Sequence, residues 1–211
     1  MNRAGFIGIA AGLAASVLVP CAEAASDSPV LPGFHGIRVA GMARISWHRA
    51  ARQSVMITGS SALLKRVRLT VTDGMLDLRL KSGIWSGDDG RLQLVVATPH
   101  LDRLDVSGMA SGTVSGLDGP AFAVSISGTG RLTLSGAVTK AAIAVSGAGR
   151  VDAAKLIADD LTVSISGTGT VNGYARQDAH IAVDGVGSVH VAGHPAVRDV
   201  SNSGVGSIVF D

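Results

Sequence analysis

Apolar and polar residues alternate with a period of two through most of the second half of the chain. The stretch Val124-Ser125-Ile126-Ser127 is typical, because its aliphatic side chains occupy every other position and hydroxyl groups stand between them. This pattern predicts β-strands that bury one face. Helical spacing of apolar residues is not indicated there, so the pattern favours an all-β fold.

The alternating runs recur about every nineteen residues around the motif Ser-Gly-x-Gly. Residues 124–132, 143–151 and 163–171 are nearly the same sequence, and looser copies follow at 181–189 and 200–208. The register glycines are 20, 19, 20, 18 and 19 residues apart: Gly108, Gly128, Gly147, Gly167, Gly185 and Gly204. A fixed period of this size indicates a solenoid.

We therefore predict a parallel β-helix with about 19–20 residues per coil. One coil cannot bury its own apolar face, but coils stacked about 4.8 Å apart bury a shared Val, Ile, Leu and Ala core. Stacking predicts one ladder of corner residues and one of glycines. The corner ladder is Ser127, Ser146, Ser166, Asp184 and Ser203, and the glycine ladder is Gly130, Gly149, Gly169, Gly187 and Gly206.

The paired glycines have a structural explanation, because a coil corner needs either positive φ or a close approach of two backbones. A phosphate-binding loop would need a helix after the glycines, and a strand follows them instead. A calcium-binding β-roll would need an Asp at each turn, and only Asp184 is so placed. The predicted turn glycines are Gly128, Gly130, Gly147, Gly149, Gly167, Gly169, Gly185, Gly187, Gly204 and Gly206.

The first half also predicts strands, but it shows no repeat. They are expected at residues 36–45, 55–58, 67–71, 75–80 and 92–97, with turns at Asp73-Gly74 and at residues 87–90. This half is interpreted as an irregular N-terminal cap of a single domain, residues 25–211, whose regular coils run from about 104 to 211. The last coil shows no polar cap, which leaves self-association through coil ends open.

The N-terminus predicts export. Arg3 precedes an apolar stretch, and Ala22-Glu23-Ala24 matches a signal-peptidase site, so residues 1–24 are interpreted as a signal peptide cleaved after Ala24. Cys21 is the only cysteine; lipidation there is the less favoured alternative, because Pro20 replaces the usual small residue. The expected location is the periplasm, the outer-membrane surface or the medium, with no transmembrane span in the mature chain.

Charge narrows the range of partners. The formal net charge is +2, from 18 basic and 16 acidic residues, which argues against nucleic acid as a partner. Seven basic residues and no acidic one lie between Arg38 and Arg68. This segment is either a solvated strand surface or a face for anionic cell-surface polysaccharide, lipid headgroups or an envelope protein. No cofactor is expected.

Several segments resemble the bacterial head GIN domain family, described as heads of auto-transporter adhesins. The resemblance covers nearly all of the mature chain and is carried by residues 34–39, 72–76 and 97–108 and by the Ser-Gly-x-Gly coils. It implies an exported, right-handed β-helix without established enzymatic activity. It supplies no catalytic residues.

Catalysis and metal binding find little support in the sequence. Some β-helix enzymes cleave acidic polysaccharides, as a lyase or a hydrolase, but carboxylate chemistry needs acids that converge across coils, and the acids here are not expected to stack. Asp88-Asp89 and Asp159-Asp160 are interpreted as turn residues. His180, His190 and His194 are interpreted as surface residues rather than zinc ligands.

One pair of basic residues is a candidate binding site. Arg131 and Arg150 follow the Gly-x-Gly motif in adjacent coils, so they should stand about 4.8 Å apart. Like charges at this distance repel unless an anion or a carboxylate lies between them. The sequence therefore predicts a weak anion-binding point at Arg131 and Arg150.

Overall fold

The computed structural model describes residues 25–80 and 92–211. Strands make up 75% and helix 2%, and the sheet forms a β-solenoid of about five turns, which confirms the predicted fold class. The predicted signal peptide and the predicted turn at residues 87–90 lie outside the described residues. No helix within the described ranges is long and apolar enough to cross a membrane.

One short helix and fifteen strands make up the described fold. The helix is α1 (Ser61–Leu64). The strands are β1 (Ala25–Asp27), β2 (Gly36–Ala40), β3 (Met42–Arg49), β4 (Ser54–Gly59), β5 (Val67–Thr72), β6 (Met75–Leu80), β7 (Gln93–Thr98), β8 (Arg103–Val106), β9 (Met109–Ile126), β10 (Thr129–Val145), β11 (Ala148–Ile165), β12 (Thr168–Val183), β13 (Val186–Ala192), β14 (Val197–Asn202) and β15 (Val205–Phe210).

The regular coils are built from long strands that pair in parallel with the strand one period away. For example, β10 pairs with β11 from Thr129↔Ala148 to Val145↔Ile165. The predicted glycine ladder is present, because Gly130, Gly149, Gly169, Gly187 and Gly206 are successive register partners. The period of the sequence is therefore the length of one coil.

Each coil sends its aliphatic side chains into one continuous core. In β10 the fully buried side chains include Leu132, Leu134, Ile143 and Val145, and the residues between them face outwards. Burying one such side chain stabilises the fold by about 1.5–3 kcal/mol. Alternation along the strand and stacking across coils thus bury the same positions in every turn.

The Ser-Gly corners bring the backbones of neighbouring coils into close contact. The Ser146 N–H donates to the Ile126 carbonyl (2.9 Å), and the Ala148 N–H donates to the Gly128 carbonyl (2.9 Å). A Cβ at Gly147 would overlap the carbonyl oxygen of Gly128, whereas the Gly147 backbone is outside the left-handed region. Of the two explanations considered, close approach is the correct one at this corner.

The N-terminal half joins the solenoid out of chain order. Strand β3 lies between β7 and β9 and pairs in parallel with both. Strand β2 lies in the same way between β6 and β8. These strands are therefore coils of the solenoid, although their sequence shows no repeat.

Antiparallel strands form the predicted cap at this end. Strand β5 pairs with β6, β4 pairs with β7, and β1 pairs with β4. The predicted turn at Asp73-Gly74 is confirmed, since both residues have positive φ (51° and 72°) and join β5 to β6 as a hairpin.

A buried polar contact ties the out-of-order strands together. The Trp47 indole N–H donates to the Thr98 hydroxyl (2.8 Å), which donates to the His100 carbonyl (2.7 Å). Trp47 is 1% exposed and Thr98 is fully buried. Both polar groups are satisfied, so burial of this tryptophan leaves no unpaired donor.

The opposite end has a polar cap, so the expectation of an uncapped last coil is wrong. Arg198 pairs in register with the fully buried Ala179, which places it at an inward position of β14. Its guanidinium lies 4.8 Å from the centroid of the Phe210 ring. Asn202 is also at an inward position, because it pairs with Val183. An inward-pointing charge on an edge strand opposes pairing with another chain.

Candidate anion-binding groove

A groove of about 880 Å³ runs along one outer side of the solenoid. Its floor follows the backbone of the glycine ladder, from Ala43 and Ala110 through Gly130 to Gly206. Leu63 of α1 lines one end, and the other end reaches the last coil. The groove therefore crosses the whole stack rather than a single coil.

Two rows of outward-facing residues line the floor on either side. The first, here called the apolar row, consists of Met42, Met109, Thr129, Ala148, Thr168, Val186 and Val205. The second, here called the arginine row, lies two residues further along each strand and consists of Arg44, Ser111, Arg131, Arg150, Thr170 and Ser188. Because side chains two apart face the same way, the groove has one methyl-rich wall and one hydroxyl and guanidinium wall.

Arg131 and Arg150 are side by side, as the sequence predicts. They are register partners in β10 and β11, and both are exposed. Neither forms an ion pair with a described residue. Asp152 lies two residues from Arg150, but its carboxylate accepts a hydrogen bond from the Ala154 N–H (3.3 Å). Two guanidinium groups therefore face the groove without a carboxylate between them.

Arg44 belongs to the same row, and sequence reasoning did not place it there. It pairs with Ser111, which pairs with Arg131, so Arg44 stands two coils from Arg131. Arg44 is exposed and also forms no ion pair among the described residues. Its partner in the row is 67 residues away along the chain, so no local repeat indicates the alignment.

The basic segment between Arg38 and Arg68 is less available than its composition suggests. Arg38 lies between two carboxylates, with its Nη1 atom 3.2 Å from Asp77 and its Nε atom 3.7 Å from Asp105. Arg49 forms an ion pair with Asp118. These contacts neutralise part of the segment, and Arg44 is the member that faces the arginine row.

The corner serines have a structural role. The Ser127 hydroxyl donates to the Val106 carbonyl (3.4 Å), and the Ser146 hydroxyl donates to the Ile126 carbonyl (3.5 Å). Ser203 hydrogen-bonds to Asp184 one coil away. These residues link adjacent coils at the predicted corner ladder.

Two acids do stack, contrary to expectation. Asp160 and Asp178 are register partners in β11 and β12. The register shifts between Ala158 and Asp160, which brings together residues only 18 apart and hides the pair from a 19–20-residue comparison. Asp160 also lies 3.9 Å from the Lys140 amine, and Asp159 lies 3.6 Å from Arg176. Asp88-Asp89 lies outside the described residues.

The histidines form separate pairs with single carboxylates. His180 lies 3.5 Å from Asp199, and His190 lies 2.6 Å from Asp211. Within the described parts of the chain, no three His, Cys, Asp or Glu side chains converge as metal ligands would. Both pairs link the last coil to the coil before it.

Solved structures with this architecture come from bacteria. A protein from Bacteroides fragilis described as a putative adhesin aligns with 91% of this chain and 99% of its own, at 20% identity and a TM-score of 0.75. A Parabacteroides distasonis protein described as a putative lipid binding protein aligns with 88% and 96%, at 14% identity and a TM-score of 0.45. The first similarity shows a shared fold. No protein with a curated description matches the chain.

The sequence profile of one domain family matches most of the chain. Residues 33–195 match the family described as "Putative auto-transporter adhesin, head GIN domain". The matched region includes all of β2 to β13 and therefore most of the groove. The expected resemblance is confirmed, and the chain belongs to the head GIN domain family.

Proposed function

We propose that this protein is an exported, non-enzymatic, adhesin-like module that binds anionic groups on a cell surface. The observation that carries the proposal is the pair Arg131 and Arg150. Two exposed guanidinium groups on a rigid sheet, without a carboxylate partner, attract an anion strongly enough to orient it. The family description adds support, because it names its members as heads of adhesins.

Export is supported by the pattern at the N-terminus. Residues 1–24 carry the basic, apolar and small-residue regions of a signal peptide. Cleavage after Ala24 would remove the only cysteine, and a chain without cysteine is unaffected by an oxidising compartment. Fractionation of cells that express the full chain, with the N-terminal residue determined on the exported form, tests this part. A cytoplasmic, uncleaved chain contradicts it.

A glycan array at low and physiological salt, followed by analysis of the bound material, tests the binding. We expect retention of intact acidic glycans and weaker retention as salt rises, since the Debye length falls from about 30 Å at 0.01 M to about 8 Å at 0.15 M. Absence of binding to every acidic glycan contradicts the proposal.

The second candidate function is cleavage of an acidic polysaccharide, and the stacked acids Asp160 and Asp178 favour it. Carboxylates in adjacent coils are close enough to share a proton or to act on one bond. Shortened or unsaturated products in the array experiment would support cleavage. In that case, loss of the products in Asp160→Asn and Asp178→Asn would assign the reaction to this pair.

A further inference from the structure

We infer that the groove holds a linear acidic polysaccharide that lies along the axis of the solenoid and crosses successive coils. This inference rests on the proposed function and names the ligand class and its orientation. It predicts that several anionic groups of one polymer contact the arginine row together.

The arginine row sets the direction of the ligand. Arg44, Arg131 and Arg150 occupy one register row, with Ser111 between the first two. At about 4.8 Å per coil the three guanidinium groups span about 14 Å along the stack. None of the three has an ion-pair partner among the described residues. Charges spaced along an axis fit a polymer with repeated anionic groups better than a single small anion.

The groove is long enough for such a polymer. Its apolar row has one residue in each of seven successive coils, from Met42 to Val205, so it spans about 29 Å at the usual strand spacing. The residues that line it include no carboxylate that would repel the chain. Glycine along the floor exposes the backbone between the two rows, so a chain can lie against it.

The lining distinguishes a sugar polymer from a lipid. A single-chain amphiphile has its anionic group at one end, whereas Arg131 and Arg150 lie in the middle coils of the groove, so half of it would be left empty. The wall beyond Arg150 continues with hydroxyl groups, Thr170 and Ser188, which suit hydrogen bonding to sugar hydroxyls. The methyl-rich wall, from Thr129 to Val186, suits the apolar faces of sugar rings.

Three sets of variants of the full chain test the site. Arg131→Gln/Arg150→Gln removes two charges of the row, and Arg44→Gln removes the third. Ala148→Trp keeps every arginine but fills the groove between them from an exposed position. The matched control is Arg52→Gln/Lys155→Gln, which removes two exposed charges that neither line the groove nor form ion pairs among the described residues. Circular dichroism melting confirms that each variant is folded.

The probes are size-graded oligogalacturonates, their methyl esters and size-graded heparin oligosaccharides, measured by isothermal titration calorimetry. We expect affinity to rise with oligomer length until the chain spans the groove, and to be lost in the methyl esters. Arg131→Gln/Arg150→Gln and Ala148→Trp should each weaken binding by about tenfold or more, because charge-assisted hydrogen bonds are lost or blocked. Arg44→Gln should weaken only the binding of longer oligomers, and the control pair should change affinity less than about twofold.

The outcomes separate this inference from the proposed function. If the wild-type chain binds these oligomers and the groove variants bind equally well, the groove is not the site, although the proposed function stands. Binding that does not depend on oligomer length also overturns the axial orientation. If myristate binds more tightly than every oligosaccharide, the ligand is an amphiphile and the inference is wrong. Failure to bind any acidic glycan contradicts the proposed function itself.

Discussion

The two halves of the solenoid use the same coil, but they place it in the stack in different ways. From β9 to β13 each coil pairs with the coil before it along the chain. In the first half β3 pairs with β7 on one side and with β9 on the other, so a coil begun early is completed on both faces by later strands. Similar backbone geometry thus arises from consecutive and from non-consecutive segments.

The difference explains why a repeat is visible in one half alone. In the regular coils each position has an equivalent neighbour 18–20 residues away, and close backbone approach requires glycine at the same corner each time. The first half has neighbours of different kinds, antiparallel strands on one side and parallel coils on the other. Different environments require different residues, so Trp47 and Thr98 fill space that small aliphatic residues fill elsewhere.

The largest expected effect concerns the out-of-order coil. Trp47→Ala should lower the free energy of unfolding by about 3–5 kcal/mol, because it leaves a cavity and an unpaired Thr98 hydroxyl. Hydrogen exchange should accelerate in both β7 and β9, which pair with β3. Leu132→Ala in a regular coil is the comparison, and it should accelerate exchange in β9 and β11 instead. Unchanged exchange in β7 after Trp47→Ala contradicts the pairing.

The next effect concerns the corners of the regular coils. Gly147→Val should destabilise the fold by about 3 kcal/mol, the upper part of the range for overpacking, because its side chain would overlap the Gly128 carbonyl. Thr168→Ser, at an exposed position, is the control. Thermal melting followed by circular dichroism compares them. Equal melting temperatures would show that the corners tolerate a side chain.

A smaller effect tests the ion pairs that link the out-of-order strands. Arg38 on β2 contacts Asp77 on β6 and Asp105 on β8, and the Asp77 side chain is 8% exposed. Arg38→Gln should cost about 1 kcal/mol, because Arg38 itself is partly solvated but Asp77 loses its partner. Arg79→Gln, at an exposed position without an ion pair in the described structure, should cost much less in urea unfolding. If the two variants unfold at the same urea concentration, the contacts do not join the coils.

The smallest expected effect on stability is at the last coil, where the change should be in association. Arg198→Val removes the inward-pointing charge from β14 and leaves a fully apolar open end. Sedimentation velocity over a range of concentrations should then show more self-association than the wild-type chain. The exposed Arg176→Val is the control, since it adds the same side chain away from the end. Equal behaviour of the two variants means that Arg198 does not protect the end.

The sequence predicts those features that repeat at a fixed interval. Coil length, the glycine ladder and the adjacency of Arg131 and Arg150 follow from equal spacing, and the structure contains all three. Register shifts conceal the pairing of Asp160 with Asp178. The position of Arg44 depends on a pairing across 67 residues, which leaves no periodic signal. Long-range order in the stack is therefore the part that local pattern does not determine.

The central claim is that β3 lies between β7 and β9, because this places Arg44 on the arginine row. Ser46 and Thr113 are register partners in β3 and β9, whereas Thr133 is one coil further away. A disulfide needs Cα atoms about 4.4–6.8 Å apart, which adjacent coils satisfy and coils two spacings apart do not. The test uses chains in which Cys21 is replaced by Ser.

We would compare disulfide formation in Ser46→Cys/Thr113→Cys and Ser46→Cys/Thr133→Cys by mass spectrometry after mild oxidation of the folded protein. The account predicts a disulfide within the first variant and free thiols in the second. A disulfide in the second variant, or none in the first, would contradict the placement of β3 and remove Arg44 from the arginine row.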